Sequence, residues 1–218
     1  VGKPMALNLL KSGAQVAVHS ADTSGYAAMR QAGATPVDRA SDLADADVVF
    51  LCLPHGDVVR DVLFGQSGGT GGLAARMRPG QTVVDTSTIA YNTTLEVAAA
   101  LREAGVDFVD APVSGMEARA VNGTLTVMCG GERQVFDRIE PLLRHMGNQI
   151  LFMGPAGRGQ LTKLINQLLF DSNCAGLAEI LPMAVKMGLD PDQVGAVINS
   201  GTGRSYASEF FVPHMLKN

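Results

Sequence analysis

Short apolar runs alternate with amphipathic segments over residues 1–154, as in a sheet covered by helices. The run at residues 46–54 is almost continuously apolar, as a parallel strand buried on both faces requires. The predicted strands cover residues 15–19, 46–54, 81–85, 106–110, 125–129 and 149–153. The predicted helices cover residues 3–12, 23–32 and 132–145, and further helical stretches flank the strands at 81–85 and 106–110. This succession predicts an α/β domain of the doubly wound type.

The pattern becomes wholly helical after residues 154–157. Residues 159–187 are apolar on most faces, which predicts an interior helix of a bundle, and Pro182 should bend it. A shorter helix is predicted over residues 192–199. We therefore divide the chain into a sheet domain, residues 1–154, and the start of an all-helical domain, residues 155–218. The helix at residues 159–187 is very apolar, and few other segments of the chain remain to cover it. We therefore expect further helices or a second subunit to pack against it.

Composition and charge argue against several classes of protein. The 218 residues carry a net charge of −4, which gives no electrostatic reason to bind nucleic acid or an anionic membrane. We expect no membrane span, because no apolar run looks long enough, and no signal peptide is recognisable. Cys52, Cys129 and Cys174 lie far apart in apolar surroundings, which is typical of reduced core cysteines and fits no metal site. We expect a cytoplasmic protein without a bound metal.

A cluster of glycines at residues 65–72 resembles a phosphate-binding loop in composition only. No strand immediately precedes it and no Gly-Lys-Ser/Thr ends it, so the pattern favours a flexible surface loop.

Lys163 stands on the second turn of the long predicted helix, and Gln167 follows one turn later. Positions i and i+4 share a helix face, so the ammonium group and the amide can converge on one ligand. A lysine there can protonate a carbonyl as it becomes an alcohol, provided that burial or the helix start favours its neutral form. Gly157 and Gly159 ahead of it leave room for a flat cofactor ring. The alternative is a solvated lysine near a helix start.

A second candidate site lies where the strand predicted at residues 106–110 runs into a proline turn. The turn presents the hydroxyl of Ser114 and the backbone amide of Gly115. Such donors suit a carboxylate or a developing alkoxide.

Several of these segments together resemble the β-hydroxyacid dehydrogenase family, the group of 3-hydroxyisobutyrate dehydrogenase, tartronate-semialdehyde reductase and, more distantly, 6-phosphogluconate dehydrogenase. The resemblance is carried by Asp-Ala-Pro-Val-Ser-Gly at residues 110–115, Gly-Thr-Leu-Thr-Val-Met at 123–128, the glycines and lysine at 157–163, and the segments at 2–9 and 85–89. It implies a Rossmann-type domain followed by an all-α domain, NAD or NADP as cofactor, a small carboxylate substrate, and a homodimer or homotetramer. Lys163 is then the general acid/base of a hydride transfer.

The resemblance also implies the residues that bind each ligand. The cofactor contacts are Gly2, Pro4, Met5, Ser20, Leu53, Pro54, Ser87 and Thr88. The substrate contacts are Ser114, Gly115, Met116, Asn166, Gln167 and Arg204, the last in a loop that closes over the substrate.

Gly2 matches only the third glycine of a Rossmann fingerprint, so we expect a fragment that lacks the first strand, its two glycines and later helices. Asp22 has the spacing of a ribose-binding acid but serves equally well as a helix cap, which we favour. The choice between NAD and NADP stays open.

Two positions depart from the family pattern. The usual Ser-Gly-Gly is Ser114-Gly115-Met116, and the usual asparagine one turn after the lysine is Gln167, with Asn166 just before it. Met116 indicates an altered or apolar-tolerant substrate pocket, and Gln167 keeps the amide at a longer reach. An imine or ketone reductase, a decarboxylating phosphogluconate-type enzyme and a cofactor-binding oligomerisation module without turnover remain as alternatives.

Overall fold

The computed structural model describes residues 1–65 and 71–215, which form two compact units, Val1–Lys163 and Leu164–Asn218. Residues 66–70, most of the glycine-rich segment predicted to be a surface loop, lie outside the described residues.

The first unit alternates strands and helices as the sequence predicts. Its elements in chain order are α1 Gly2–Lys11, β1 Ala17–Val18, α2 Tyr26–Gln31, β2 Thr35–Pro36, β3 Val48–Leu51, α3 Gly56–Phe64, β4 Thr82–Asp85, α4 Tyr91–Glu103, β5 Asp107–Asp110, β6 Val113–Ser114, α5 Met116–Val121, β7 Leu125–Gly131, α6 Arg133–Leu143, β8 Gly147–Gly154 and the start of α7 Arg158–Lys186. Single 3₁₀ turns occur at Ala40–Leu43 and Ala74–Arg76.

The main sheet has the order β3-β4-β5-β7-β6, with β8 paired to β7, while β1 and β2 form a separate parallel pair. Strands β3, β4 and β5 are parallel, and β7 runs antiparallel to β5. The register places Leu51 beside Asp85 and Asp85 beside Asp110. The last residues of three parallel strands therefore lie side by side at the carboxyl edge, where open α/β sheets bind their ligands.

Two apolar cores cover the two faces of this sheet. One joins β5 and β7 to α1 and α6, and the other joins β3 and β4 to α3 and α4. On β3, Val49 and Leu51 are buried but Val48 and Phe50 are only partly so, which corrects the prediction of a strand buried on both faces. A cavity of about 910 Å³, between β1 and β3, borders these two residues and leaves them short of neighbours.

The second unit is helical. It contains the remainder of α7, then α8 Pro191–Ser200 and α9 Tyr206–Met215, the last of which the sequence pattern did not reveal. Asp190 caps α8 by accepting hydrogen bonds from the backbone N–H groups of Asp192 (2.9 Å) and Gln193 (3.1 Å). A small core of Leu177, Leu181, Ala207 and Val212 holds these helices together.

Helix α7 differs in two ways from its prediction. Its residues Ile165, Leu168 and Leu169 are more than half exposed, so it is not an interior helix within its unit. With 29 residues and a mean hydropathy of 1.3 over its most apolar stretch, it is also long and apolar enough to cross a membrane by length and composition. The expectation that no apolar run is long enough to span a membrane is therefore wrong for this helix, by length and composition alone.

Candidate active site

The carboxyl ends of β3 and β4 are joined through Ser87. The backbone N–H of Leu53 donates to Ser87 Oγ (2.9 Å), and the backbone N–H of Ser87 donates to Asp85 Oδ1 (2.9 Å). Ser87 is buried, whereas its neighbour Thr88 and Pro54 beyond β3 are exposed. Of these predicted cofactor contacts, Ser87 organises the strand ends and Thr88 and Pro54 lie on the surface that they form.

Asp110, at the end of β5, caps the amino terminus of α7. Its Oδ1 accepts the backbone N–H of Gly157 (2.7 Å) and its Oδ2 accepts that of Gln160 (2.8 Å). Burial raises the pKa of Asp110 to about 6, and the hydrogen bonds from Gly157 and Gln160 oppose that rise. At neutral pH the carboxylate is ionised, and its negative charge faces the positive end of the helix dipole.

The glycines around this cap allow a very close approach of α7 to the sheet. A Cβ at Gly159 would lie 2.2 Å from the carbonyl oxygen of Met128, and one at Gly130 would lie 2.6 Å from Asp110 Oδ1. Gly157 has φ +87°, and a Cβ there would lie 2.7 Å from the Tyr91 ring. Gly157 and Gly159 thus permit close contacts of protein with protein, and the cofactor approach that the sequence indicated stays a prediction.

Gln160 provides a second connection between α7 and the sheet. Its Nε2 donates to the carbonyl oxygen of Ser87 (2.6 Å), and its Oε1 accepts the backbone N–H of Ile89 (3.3 Å). Gln160 is fully buried. The first turn of α7 is therefore hydrogen-bonded to the ends of both β4 and β5.

Lys163 lies one turn beyond these contacts and is only 9% exposed. The solvated lysine that the sequence left open is therefore not what the fold contains. Gln167, half-buried, and Asn166, exposed, follow on the continuation of α7 in the second unit.

The turn predicted to bind substrate has an unusual backbone. Ser114 ends β6 and is half-buried. Gly115 has φ +138°, and a Cβ there would lie 2.8 Å from the Arg119 side chain. Met116 follows with φ 59°, a left-handed conformation that L-residues other than glycine rarely adopt, and is 45% exposed. The turn thus holds a strained apolar residue next to its donors.

The start of α1 and the end of β3 lie in close contact. A Cβ at Gly2 would lie 3.3 Å from the Cβ of Cys52, so glycine permits this approach. Pro4 is half-buried and Met5 is buried in the core. Cys52 is exposed, which corrects the prediction of a core cysteine, whereas Cys129 is buried and its burial raises the pKa of the thiol to about 12.

In the segment after β1, Asp22 makes a local contact with the backbone. Asp22 Oδ1 accepts the backbone N–H of Ser24 (2.9 Å), a contact that lowers the pKa of Asp22. The capping interpretation of Asp22 is nevertheless wrong, because α2 begins only at Tyr26 and its N-cap, Gly25, has no side-chain cap hydrogen bond. Ser20, a predicted cofactor contact, is exposed.

Arg204 lies in the loop between α8 and α9 and is exposed. Its Nε is 3.6 Å from Glu209 Oε1, a surface ion pair. The guanidinium group thus has a partner within its own unit. Among the residues that the structure describes, no group of three or more His, Cys, Asp or Glu side chains is arranged to hold a metal ion.

Sequence reasoning missed the roles of Asp85, Asp110 and Gln160. Asp85 and Asp110 belong to the quoted family segments, and each ends a predicted strand, which is the signal that could have drawn attention to them. Asp85 is 0% exposed, and burial raises its pKa to about 6.

Comparison with known proteins gives matches along the whole chain. The family described as the NAD binding domain of 6-phosphogluconate dehydrogenase matches residues 1–154. The family described as NAD-binding of NADP-dependent 3-hydroxyisobutyrate dehydrogenase matches residues 157–218.

Individual proteins agree. The 2-(hydroxymethyl)glutarate dehydrogenase of Eubacterium barkeri is 39% identical over 96% of this chain and 68% of its own length. The 2-hydroxy-3-oxopropionate reductase of Escherichia coli (strain K12) is 37% identical over 100% of this chain and 73% of its own length. A crystal structure of 3-hydroxyisobutyrate dehydrogenase from Salmonella typhimurium shares 29% identity and a TM-score of 0.88, covering 99% of this chain and 75% of that one. The chain belongs to the β-hydroxyacid dehydrogenase family of NAD(P)-dependent oxidoreductases.

Proposed function

We propose that this enzyme oxidises or forms a small β-hydroxy acid, with Lys163 as the general acid/base. The observation that carries the proposal is the placement of Lys163. It is buried, and it stands one turn beyond a helix start that is hydrogen-bonded to the ends of β4 and β5. Burial removes much of the water around a lysine side chain. Such a lysine is therefore a candidate for exchanging a proton with a bound substrate.

The nicotinamide ring of NAD or NADP, when bound, accepts the hydride from the alcohol carbon or returns it to the carbonyl carbon. In the oxidation direction, neutral Lys163 takes the hydroxyl proton on Nζ as the C–H bond breaks. In reduction, the ammonium form gives that proton back to the oxygen.

The residues of the sheet edge fit such a cofactor. Gly2 brings the start of α1 against the end of β3, and a helix start is a favourable place for phosphate. Leu53, Pro54 and Thr88 lie at the adjoining strand ends, at the edge where ligands of open α/β sheets bind. In the proposal they contact the cofactor, together with Pro4, Met5, Ser20 and Ser87, whose hydroxyl also accepts the N–H of Leu53.

The substrate assignment rests on the turn after β6. Ser114 and the amide of Gly115 supply donors for a carboxylate, and Gln167 supplies an amide on the same face of α7 as Lys163. Both curated relatives are named for small hydroxy or oxo acids, which supports a carboxylate substrate. Met116 adds an apolar group beside the donors, so we assign a substrate with an apolar substituent. Arg204 pairs with Glu209, and we give it a role only on closure of its loop.

We also propose that the exposed apolar side chains of α7 form a contact between subunits. Ile165, Leu168 and Leu169 make a continuous apolar surface, which in soluble proteins marks an interaction site. A membrane location is less favourable. Asp171 and Glu179 lie well inside the helix, and an aspartate at the centre of a membrane helix costs about 3 kcal/mol. A homodimer or homotetramer fits this surface. The exposed thiol of Cys52 fits a location in the cytoplasm, and fractionation of cells that express the full-length protein tests that location.

The decisive test compares full-length wild type with Lys163→Ala. Nicotinamide absorbance is followed with NAD and NADP against a panel of β-hydroxy acids and aldehyde acids. Loss of general acid–base catalysis should lower kcat about 100- to 10,000-fold, while cofactor binding stays intact. Lys186→Ala, an exposed lysine on the same helix, is the matched control and should keep full activity.

The other outcomes are equally informative. A Lys163→Ala enzyme as active as wild type would refute the assignment of the acid/base. A wild type that binds cofactor but turns over neither this panel nor imines added to it would favour the oligomerisation module.

A further inference from the structure

The catalytic helix is capped by a residue from outside the helix. The N–H groups at a helix start have no partner within the helix, and a nearby side chain usually accepts them. In α7 the acceptor is Asp110, which lies 47 residues before Gly157 in the chain and ends β5. The orientation of the first turn is therefore set by the sheet.

Gln160 constrains the same turn from the other side. Its side chain bridges the carbonyl oxygen of Ser87 and the N–H of Ile89, while its own N–H is held by Asp110. Because Gln160 is buried, breaking these bonds would leave polar backbone groups of the segment that follows β4 unpaired. The hydrogen bonds to Asp110 and those of the Gln160 side chain together fix the rotation of this turn about the helix axis and its distance from the sheet.

The surrounding glycines show how closely this arrangement is built. Cβ atoms at Gly130 and Gly159 would each come within 3 Å of the Asp110 carboxylate or of backbone atoms. No other residue type fits there without moving the helix, so α7 has little freedom to slide. Lys163 lies one turn after Gly159 on α7, so the same contacts determine its position.

We propose that Asp110 and Gln160 are positioning residues for Lys163, holding its Nζ in register with the hydroxyl or carbonyl oxygen of the substrate. This role rests on the proposed function. It assigns a purpose to the aspartate of the Asp-Ala-Pro-Val-Ser-Gly segment and to the glutamine ahead of the lysine, neither of which contacts a ligand in the proposal.

Asp110→Asn is the sharpest perturbation. Asparagine keeps one acceptor oxygen but turns an NH₂ group toward an N–H donor of the helix, so one cap bond must break. A displacement of about 1 Å near reacting groups lowers rates about 100-fold. Asp110→Asn should therefore lower kcat by about that factor, with the Kd of the cofactor unchanged. Gln160→Met, which keeps the length and removes both polar atoms, should act in the same direction.

A double-mutant cycle separates positioning from a general structural role. If Asp110 acts through Lys163, Asp110→Asn in the Lys163→Ala background should change kcat by less than about 3-fold, because residues that act as a unit are not additive. The control is Asp190→Ala, which removes the side-chain cap of α8, because Asp190 Oδ1 accepts both cap hydrogen bonds and asparagine could keep them. It should lower the thermal midpoint of the enzyme and leave kcat unchanged.

Three results would overturn the proposal in distinguishable ways. If Asp110→Asn and Gln160→Met lower the thermal midpoint but leave the kcat of the folded enzyme unchanged, their role is structural only. If Asp110→Asn lowers kcat equally with and without Lys163, it acts by another route. If Lys163→Ala alone leaves kcat unchanged, the proposed function itself fails, and the positioning role with it.

Discussion

Replacement of Asp85 by asparagine should make the protein more stable above pH 6 while changing little at acidic pH. Asp85 is completely buried at the end of β4, beside Asp110 on β5. Its Oδ1 accepts the N–H of Ser87, but among the described residues its Oδ2 has no hydrogen-bond partner. Asp110 accepts two N–H groups at the start of α7, whereas Asp85 accepts one, so the ionised form of Asp85 has fewer hydrogen bonds to support it.

The magnitude follows from the pKa. Burial, and to a smaller extent the charge of Asp110, raise the pKa of Asp85 from 3.8 to about 6 in the folded protein. The folded state then holds the proton over a range in which the unfolded state has lost it. Stability therefore falls as pH rises through that range, and the full cost above pH 6 is about 3 kcal/mol. Roughly half of it, about 1.5 kcal/mol, accumulates between about pH 5 and 8.

The assay is guanidinium denaturation of wild type and Asp85→Asn at pH 5 and pH 8. Asparagine keeps the acceptor for Ser87 and cannot ionise, so its advantage over wild type should grow by about 1.5 kcal/mol between the two pH values. Any destabilisation by the NH₂ group of asparagine does not depend on pH, so it cancels when the results at pH 5 and pH 8 are compared. Asp45→Asn, which removes an exposed carboxylate paired with Arg78, should change stability by less than about 1 kcal/mol. An Asp85→Asn advantage that is identical at pH 5 and 8 would show that burial does not keep this carboxyl protonated.

Two further predictions concern the substrate turn and α7. Met116→Gly should relieve the left-handed backbone at φ 59° and raise the free energy of unfolding by about 0.5–1 kcal/mol, while Met116→Val should lower it. The same Met116→Gly enzyme should lose preference for substrates with apolar substituents, as the ratio of kcat/KM for a pair of substrates will show, and an unchanged ratio would remove Met116 from the pocket. Leu168→Glu, at a side chain 69% exposed, should shift the full-length enzyme to a smaller oligomer in sedimentation velocity, whereas exposed Glu179→Gln should not. Equal sedimentation of Leu168→Glu and wild type would rule out this face as the subunit contact.

Much of the fold could be read from local pattern. The strands at residues 81–85 and 106–110 and the helix at 132–145 correspond closely to β4, β5 and α6, because apolar runs and amphipathic periods are properties of neighbouring residues. Helices α3 and α4 were predicted only as helical stretches without bounds, and α9 was not recognised, since its polar and apolar positions give a weak period. Lys163 was identifiable from its place on a helix and its neighbours.

The contacts that organise the site could not be predicted from the local sequence pattern. Asp110 and Gly157 are 47 residues apart, and their hydrogen bond depends on the register of β5 and the height of α7 above the sheet. The packing role of Gly159 and the burial of Asp85 depend on the same placement.

The sequence by itself determined the order of the main elements, the family and the candidate lysine, Lys163. Each of these can be recognised from short segments without knowledge of distant residues. Only the tertiary structure decided that Asp110 caps the helix of Lys163, that Gln160 ties that helix to β4, and that the apolar face of α7 is exposed. These features depend on which distant surfaces meet, and that is set by the packing of the whole sheet and its helices.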